Sequence, residues 1–155
     1  MDLSILINDV KYNYRVGILI QKGDSIFIEF NPTIDFVTLP GGRVKTLESS
    51  AEAIIREIKE ETHVDISKDN LKLKGLIENF FEMENKRYHE MYILYKLIVD
   101  DNDNRFYENM TNYDSEGCYY KWVKISDLSK ANLLPAVLRS LKDDDSFEHI
   151  INNDL

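Results

Sequence analysis

The chain has 155 residues, enough for one domain with one core, and its 43% hydrophobic and 30% charged residues are an ordinary globular balance. Its formal net charge is −9, the opposite of what a protein needs to grip a nucleic-acid backbone, so a nucleic-acid polymer is not expected as a partner. No apolar run is long enough for a transmembrane span, Met1-Asp2-Leu3-Ser4 lacks the basic start of a secretory signal, and the single Cys118 cannot form an internal disulfide; together these predict a cytoplasmic protein with no membrane partner.

Residues 3–10 are read as a first short strand. The apolar, β-branched segment Tyr14-Arg15-Val16-Gly17-Ile18-Leu19-Ile20 is a second, and Ser25-Ile26-Phe27-Ile28-Glu29-Phe30 returns from a turn at Lys22-Gly23-Asp24 as its hairpin partner. Asn31-Pro32-Thr33 breaks the pattern, and Phe36 to Pro40 leads into a tight bend at Gly41-Gly42. A helix is predicted from about Ser50 to Thr62, with a capping box from Ser49 to Glu52. Strands follow near 71–82 and 88–99, the latter covered on both faces because its alternation is imperfect. Residues 100–116 read as a polar loop, Tyr119-Tyr120-Lys121-Trp122-Val123 as a strand, and Ser126-Asp127-Leu128 as the start of a helical turn. Leu134 to Leu141 and Phe147 to Ile151 are predicted helices, while Asp100-Asp101-Asn102-Asp103 and Asp143-Asp144-Asp145 read as solvated loops. No repeat or linker divides the chain, so residues 1–155 are taken as a single domain, a mixed sheet with helices on its faces.

On a helical wheel at about 100° per residue, Ala51, Ile54, Ile55 and Ile58 form the apolar face of the 51–62 helix. Glu57, Glu60 and Glu61 cluster on its flank, beside the small Ala53. Glu57 and Glu61 are a like-charge i, i+4 pair, unfavourable in an isolated helix. A hard divalent cation reverses that penalty, since Mg²⁺ takes carboxylate oxygens together with substrate phosphate. The competing reading is a solvated charged face neutralised by Arg56 and Lys59.

The residues ahead of the helix favour the cation. Gly42, five residues, Glu48, seven residues, Arg56-Glu57-Ile58-Lys59-Glu60-Glu61, then Thr62-His63-Val64 resembles the Nudix box, G-x5-E-x7-R-E-U-x-E-E-x-G-U with U aliphatic. Eight of its nine defined positions match over 23 residues, and Leu39-Pro40-Gly41-Gly42 resembles the usual lead-in. The exception is His63, where the box has glycine to support a left-handed turn after the helix.

The resemblance implies an α/β/α sandwich and an enzyme, a metal-dependent pyrophosphohydrolase of a nucleoside diphosphate-linked small molecule or a nucleoside triphosphate. It implies Glu57 and Glu61 as the main ligands of Mg²⁺ (Mn²⁺ as substitute), with Glu60 as a further ligand or as the base. It also implies that Arg56 orients the glutamates, that Glu48 locks the loop onto the helix, and that Gly41 and Gly42 let backbone approach phosphate.

Many Nudix proteins carry an acid in the loop before a Trp-Val strand, and Glu116 is the candidate here; Glu90 is a second candidate base. Glu78-Asn79-Phe80-Phe81 and His89-Glu90-Met91 resemble a pattern of bacterial members with unassigned substrates. Phe80, Phe81, Tyr88, Tyr92 and Trp122 are candidates to stack a base, against the alternative of core packing. Specificity is expected in loops 30–38, 82–88 and 100–116. Many family members dimerise, so a homodimer stays among the expectations. The competing functions are a catalytically weak nucleotide-binding sensor on the same fold and a structural protein with a charged helix.

Overall fold

The computed structural model describes all 155 residues. Strands β1 (Ser4–Ile7), β2 (Val10–Lys22) and β3 (Ser25–Phe30) come first, then the short β4 (Val37–Thr38) and β5 (Gly41–Arg43). The single α-helix, α1 (Ser50–Thr62), follows. The long strands β6 (Lys72–Met83) and β7 (Lys86–Ile98) come next, then β8 (Met110–Thr111), β9 (Tyr119–Lys124) and β10 (Glu148–Asn153). The sheet order is β10-β6-β7-β2-β3-β9-β8. It is mixed, because β2 pairs parallel with β7 and β10 parallel with β6, the other neighbours being antiparallel.

Alternation along β2 divides the core. Val16, Ile18 and Ile20 pack with Ala53, Ile54 and Ile58 of α1, whereas Leu19 faces Ile26, Ile28, Leu94 and Leu138 on the other side of the sheet. β7 feeds both clusters, Leu97 one and Leu94 the other, as its imperfect alternation predicts. β6 and β7 join through Glu84 and Asn85, both at positive φ (52° and 62°), which matches the right-handed twist of a two-residue hairpin. The three-layer expectation holds, with the second helical layer reduced to 3-10 turns at Ile125–Asp127 and Ala136–Ser140.

Two expectations are corrected and two are extended. Leu134 to Leu141 is not an α-helix but contains the 3-10 turn Ala136–Ser140. Phe147 to Ile151 is not a helix either: Glu148–Asn153 is β10, and Glu148, Ile150 and Asn152 turn inward at period two along the open edge of β6. The Asp143-Asp144-Asp145 run is the exposed loop expected, and it also holds two buried lysines. Lys74 and Lys96, 1% and 7% exposed, reach Asp144 carbonyl and carboxylate oxygens or their neighbours at 3.0–3.5 Å, because buried ammonium groups need anionic partners. Lastly, the 100–116 loop contributes buried Phe106, Met110 and Asn112 and the short β8.

Candidate active site

The start and end of α1 are set locally. Ser49 accepts the Glu52 backbone N–H while the Glu52 carboxylate accepts that of Ser49, the reciprocal capping box. At the other end His63 takes a left-handed conformation (φ 62°), the geometry for which the box glycine is suited. Its ring stacks on Tyr113 at 3.9 Å, a contact that glycine has no side chain to make.

The buried face of α1 is rotated from the one read on the wheel. Ala53, Ile54, Glu57, Ile58 and Glu61 are buried, while Ala51 and Ile55 are only half-buried. Glu57 and Glu61 therefore stand on the packing face itself. Room for Glu57 comes from Gly42: a Cβ there would occupy the position of the Glu57 carboxylate. Gly41 (φ 152°) lies so close to the Val16 carbonyl that no side chain fits.

Arg56 ties this end together. Its Nε and Nη2 donate to the two carboxylate oxygens of Glu48 at 2.7 and 3.0 Å, Nη1 donates to Glu57 at 3.0 Å and Glu60 at 3.3 Å, and Nη2 also donates to the Arg43 carbonyl at 3.0 Å. Glu48 also accepts the Lys45 N–H at 2.8 Å, fixing loop to helix.

Glu57, Glu60 and Asp114 bring carboxylate oxygens within 4.8 Å of one another. Glu61 lies deeper, 5% exposed, accepting the Tyr120 hydroxyl at 2.7 Å. Burial pushes its carboxyl up to about 9; the neighbouring Glu29 and Glu57 charges add to this, and the Tyr120 bond opposes it. Glu57 is also raised by burial against the lowering effect of Arg56, and Glu29 is raised by burial against hydrogen bonds from Asn112 and Cys118. Two buried carboxylates, Glu57 and Glu61, and the half-buried Glu29, without enough cation beside them and all oxygen donors, are a donor set that fits a hard divalent ion.

These acids open into a cavity of about 760 Å³. Its floor on the far side is a cross-strand row, Asn13 of β2, Glu90 of β7, Asn79 of β6 and Asn152 of β10, each paired in register with the next and at most 8% exposed. Asn13 donates to Glu90 at 2.9 Å, Asn79 to Glu90 at 3.5 Å, and Asn152 to Asn79 at 2.7 Å. Beyond the row Phe81 and Tyr88 stack at 4.7 Å and line the cavity. Tyr92 lines it too, whereas Phe80 packs against His89 and Trp122 against Phe27. Phe36, Met83 and Asn112 bring each of the three expected specificity loops to the wall.

Glu57, Glu60, Glu61, Arg56, Glu48, Gly41 and Gly42 are thus brought together. Glu116 is not: it is exposed and outside the cavity lining, and Asp114 from the same loop stands at the acids instead. Glu29 escaped the sequence reading, although it is the lone charge in the apolar strand Ser25–Phe30. Asn13, Asn79, Asn152 and Tyr120 escaped it as well, since only strand pairing places them.

The NUDIX domain family profile matches residues 5–143. Among solved structures, the fold is similar to the MutT protein from Bacillus halodurans, with TM-score 0.68 and 18% identity over 91% of this chain and 90% of that one. It is also similar to the MutT protein from Methanosarcina mazei Go1 (0.57, 22%, 84% and 89%) and the Ap4A hydrolase from C. elegans (0.56, 24%, 84% and 92%). No curated protein matches the chain.

Proposed function

The chain belongs to the NUDIX family and is a hydrolase of phosphoanhydride bonds, and on that premise we propose that it cleaves the pyrophosphate linkage of a small nucleotide-like diphosphate with Mg²⁺, or Mn²⁺ in its place, at Glu57, Glu60 and Glu61. The observation that carries this reading is the set of buried, under-compensated carboxylates pressed against the Gly41-Gly42 backbone at one end of a large cavity. Asp114 joins them as a candidate ligand from outside the box.

When bound, a divalent cation supplies neutralisation of phosphoryl charge and lowers the pKa of a coordinated water. The chain's own residues do the rest. Arg56 fixes the Glu57 and Glu60 carboxylates and, through Glu48, the loop before α1. Tyr120 holds Glu61 by its hydroxyl. The glycine pair lets the strand pack against the Val16 carbonyl and the Glu57 carboxylate, which holds Glu57 at the site.

Of the three acids expected as proton acceptors, Glu60 stands in the acidic cluster, with a side chain 39% exposed and open to water. Glu90 is engaged by Asn13 and Asn79, and Glu116 is absent from the acidic cluster. Glu60, which stands in that cluster beside the cavity rather than in its lining, is on this reading the group that takes the proton of the attacking water on its carboxylate oxygen.

Cavity volume suits a nucleoside-sized group. The solved neighbours include an Ap4A hydrolase and a bifunctional protein with ADP ribose pyrophosphatase activity from Francisella tularensis. Both names are compatible with a nucleoside diphosphate-linked substrate here. Incubation with a panel of nucleoside triphosphates and nucleoside diphosphate derivatives, with Mg²⁺ and with EDTA, tests the reading by chromatography of products. Metal-dependent cleavage of one compound well above the rest is expected. Binding of a compound without cleavage, with the protein folded and Mg²⁺ bound, would favour the sensor instead.

A further inference from the structure

Two basic residues, Arg15 and Arg43, line the otherwise acidic cavity. They are direct cross-strand partners, Arg15 on β2 and Arg43 on β5. Side chains opposite one another on an antiparallel pair share a face with Cβ atoms about 5 Å apart, and like charges there are destabilising. The cavity has carboxylates that could relieve the repulsion, yet neither arginine makes an ion pair with one; Arg15 acts on Glu29 only through space, beyond ion-pair distance. Arg15 makes no ion pair. The one partner of Arg43 is Asp2, at 3.9 Å and about half exposed. The Arg43 Nε is buried with no hydrogen-bond partner. A buried unpaired donor is costly in a native fold, so a like-charged pair that carries one points to a missing anion.

The position of the pair in the cavity says which anion. Along one face of β2 run Asn13, Arg15 and Gly17, two residues apart and so about 7 Å per step. Asn13 belongs to the polar row with Glu90, while Gly17 pairs with Gly41, next to the Gly42 that faces Glu57. The arginine pair therefore lies between the carboxylate end and the polar row. It is also fixed to the acids, since the Arg43 carbonyl accepts Arg56 Nη2 at 3.0 Å.

We propose that Arg15 and Arg43 form an anion clamp for the second phosphoryl group of the substrate, the one bearing the organic moiety that lies against Asn13, Glu90, Asn79 and Asn152. The inference rests on the phosphoanhydride reading above and deepens it. The Glu90 carboxylate excludes a phosphate from the polar row, so that row takes the uncharged, hydrogen-bonding end. Paired guanidiniums suit a tetrahedral dianion because each presents a planar fork of donors.

The test uses inorganic pyrophosphate as the probe, in EDTA, by isothermal titration calorimetry. The proteins are the wild type, Glu57→Gln (which removes repulsion near the clamp), Arg15→Gln and Arg43→Gln. Pyrophosphate should bind the wild type and Glu57→Gln, and each arginine substitution should weaken binding at least tenfold. Without anion, the Arg15→Gln melting midpoint should equal or exceed that of the wild type, because the substitution relieves like-charge repulsion. Absence of binding to both the wild type and Glu57→Gln overturns the clamp. So does wild-type affinity in folded Arg15→Gln and Arg43→Gln. Loss of cleavage across the nucleotide panel with pyrophosphate binding intact would instead strike the hydrolase reading and leave the clamp standing.

Discussion

The two ends of the cavity are built in opposite ways. Most of the acidic end comes from one stretch, Gly41 to Glu61, folded back on itself through a bidentate Arg56–Glu48 pair, with Glu29, Asp114 and Tyr120 added from other parts of the chain. The polar end comes from four strands, with Asn13, Asn79, Glu90 and Asn152 scattered over 140 positions of the 155-residue chain and meeting only through sheet register. The acidic end is held largely by local contacts, whereas the polar end depends on the whole sheet, including a final strand clasped by lysines. On the proposed reading, the metal ligands are mostly contiguous and the groups that would meet the organic moiety are distributed.

The largest effect should come from Glu61→Gln, which keeps the shape of the acidic end and removes its charge. Turnover should fall by orders of magnitude while the circular dichroism spectrum is unchanged. Near-normal turnover at saturating Mg²⁺ would remove Glu61 from the site and dissolve the distinction between the ends.

Lys74→Ala probes the other end at its anchor. Lys74 is 1% exposed and lies 3.2 Å from Glu148 and 3.3 Å from Asp144. Removing one partner of so buried a set should cost about 3 kcal/mol in denaturant unfolding. Amides of β10 should lose hydrogen-exchange protection before those of α1. Equal loss in both would mean that the ends are not separately supported.

Protonation offers a third contrast. The folded-state pKa of Glu61 is raised to about 9 from an ordinary carboxylate value of 4.5, so folding favours its protonated form. That contribution to stability is full below about pH 4.5 and is lost as pH rises towards about 9. In EDTA the melting midpoint should therefore decline across this window, and Glu61→Gln should flatten the decline. The same decline in both proteins would assign it to other groups.

Glu90→Gln should leave metal binding alone and change the ratio of kcat/KM between two panel substrates by about tenfold, the scale of one altered hydrogen bond. An equal fall for every substrate would place Glu90 in the chemistry instead. The smallest effect is expected for His63→Ala, which loses the stack on Tyr113 and should cost about 1 kcal/mol in a melt.

The contrast also explains what could be read from the sequence. The boundaries of α1, its capping box and the fit of His63 to a left-handed turn follow from residues within one or two helical turns of each other. The full burial of Glu57 and Glu61 does not, because the wheel places them on the flank beside the apolar face, whereas Gly42 and Tyr120 make room for them inside. Of the two loop acids, the structure sets Asp114 rather than Glu116 beside the glutamates of α1. Asn112 accepts the Asp114 N–H at 2.9 Å and the Tyr113 N–H reaches the Glu61 carbonyl at 2.8 Å, so the loop brings Asp114 to the acids, and no periodicity announces such a turn. β10 looked helical because Ile150 and Ile151 carry no signal of the edge that receives them; its pairing with β6 spans some seventy residues.

The most direct measurement is calorimetric titration of Mg²⁺ into the metal-free protein at pH 7, repeated in buffers of different ionisation enthalpy. With Glu61 at about 9, binding must displace its proton, so roughly one proton should be released per ion. Glu61→Gln should bind more weakly and release fewer protons per ion. Saturable binding with no proton release, or identical titrations of the two proteins, would contradict a cation site built on Glu61.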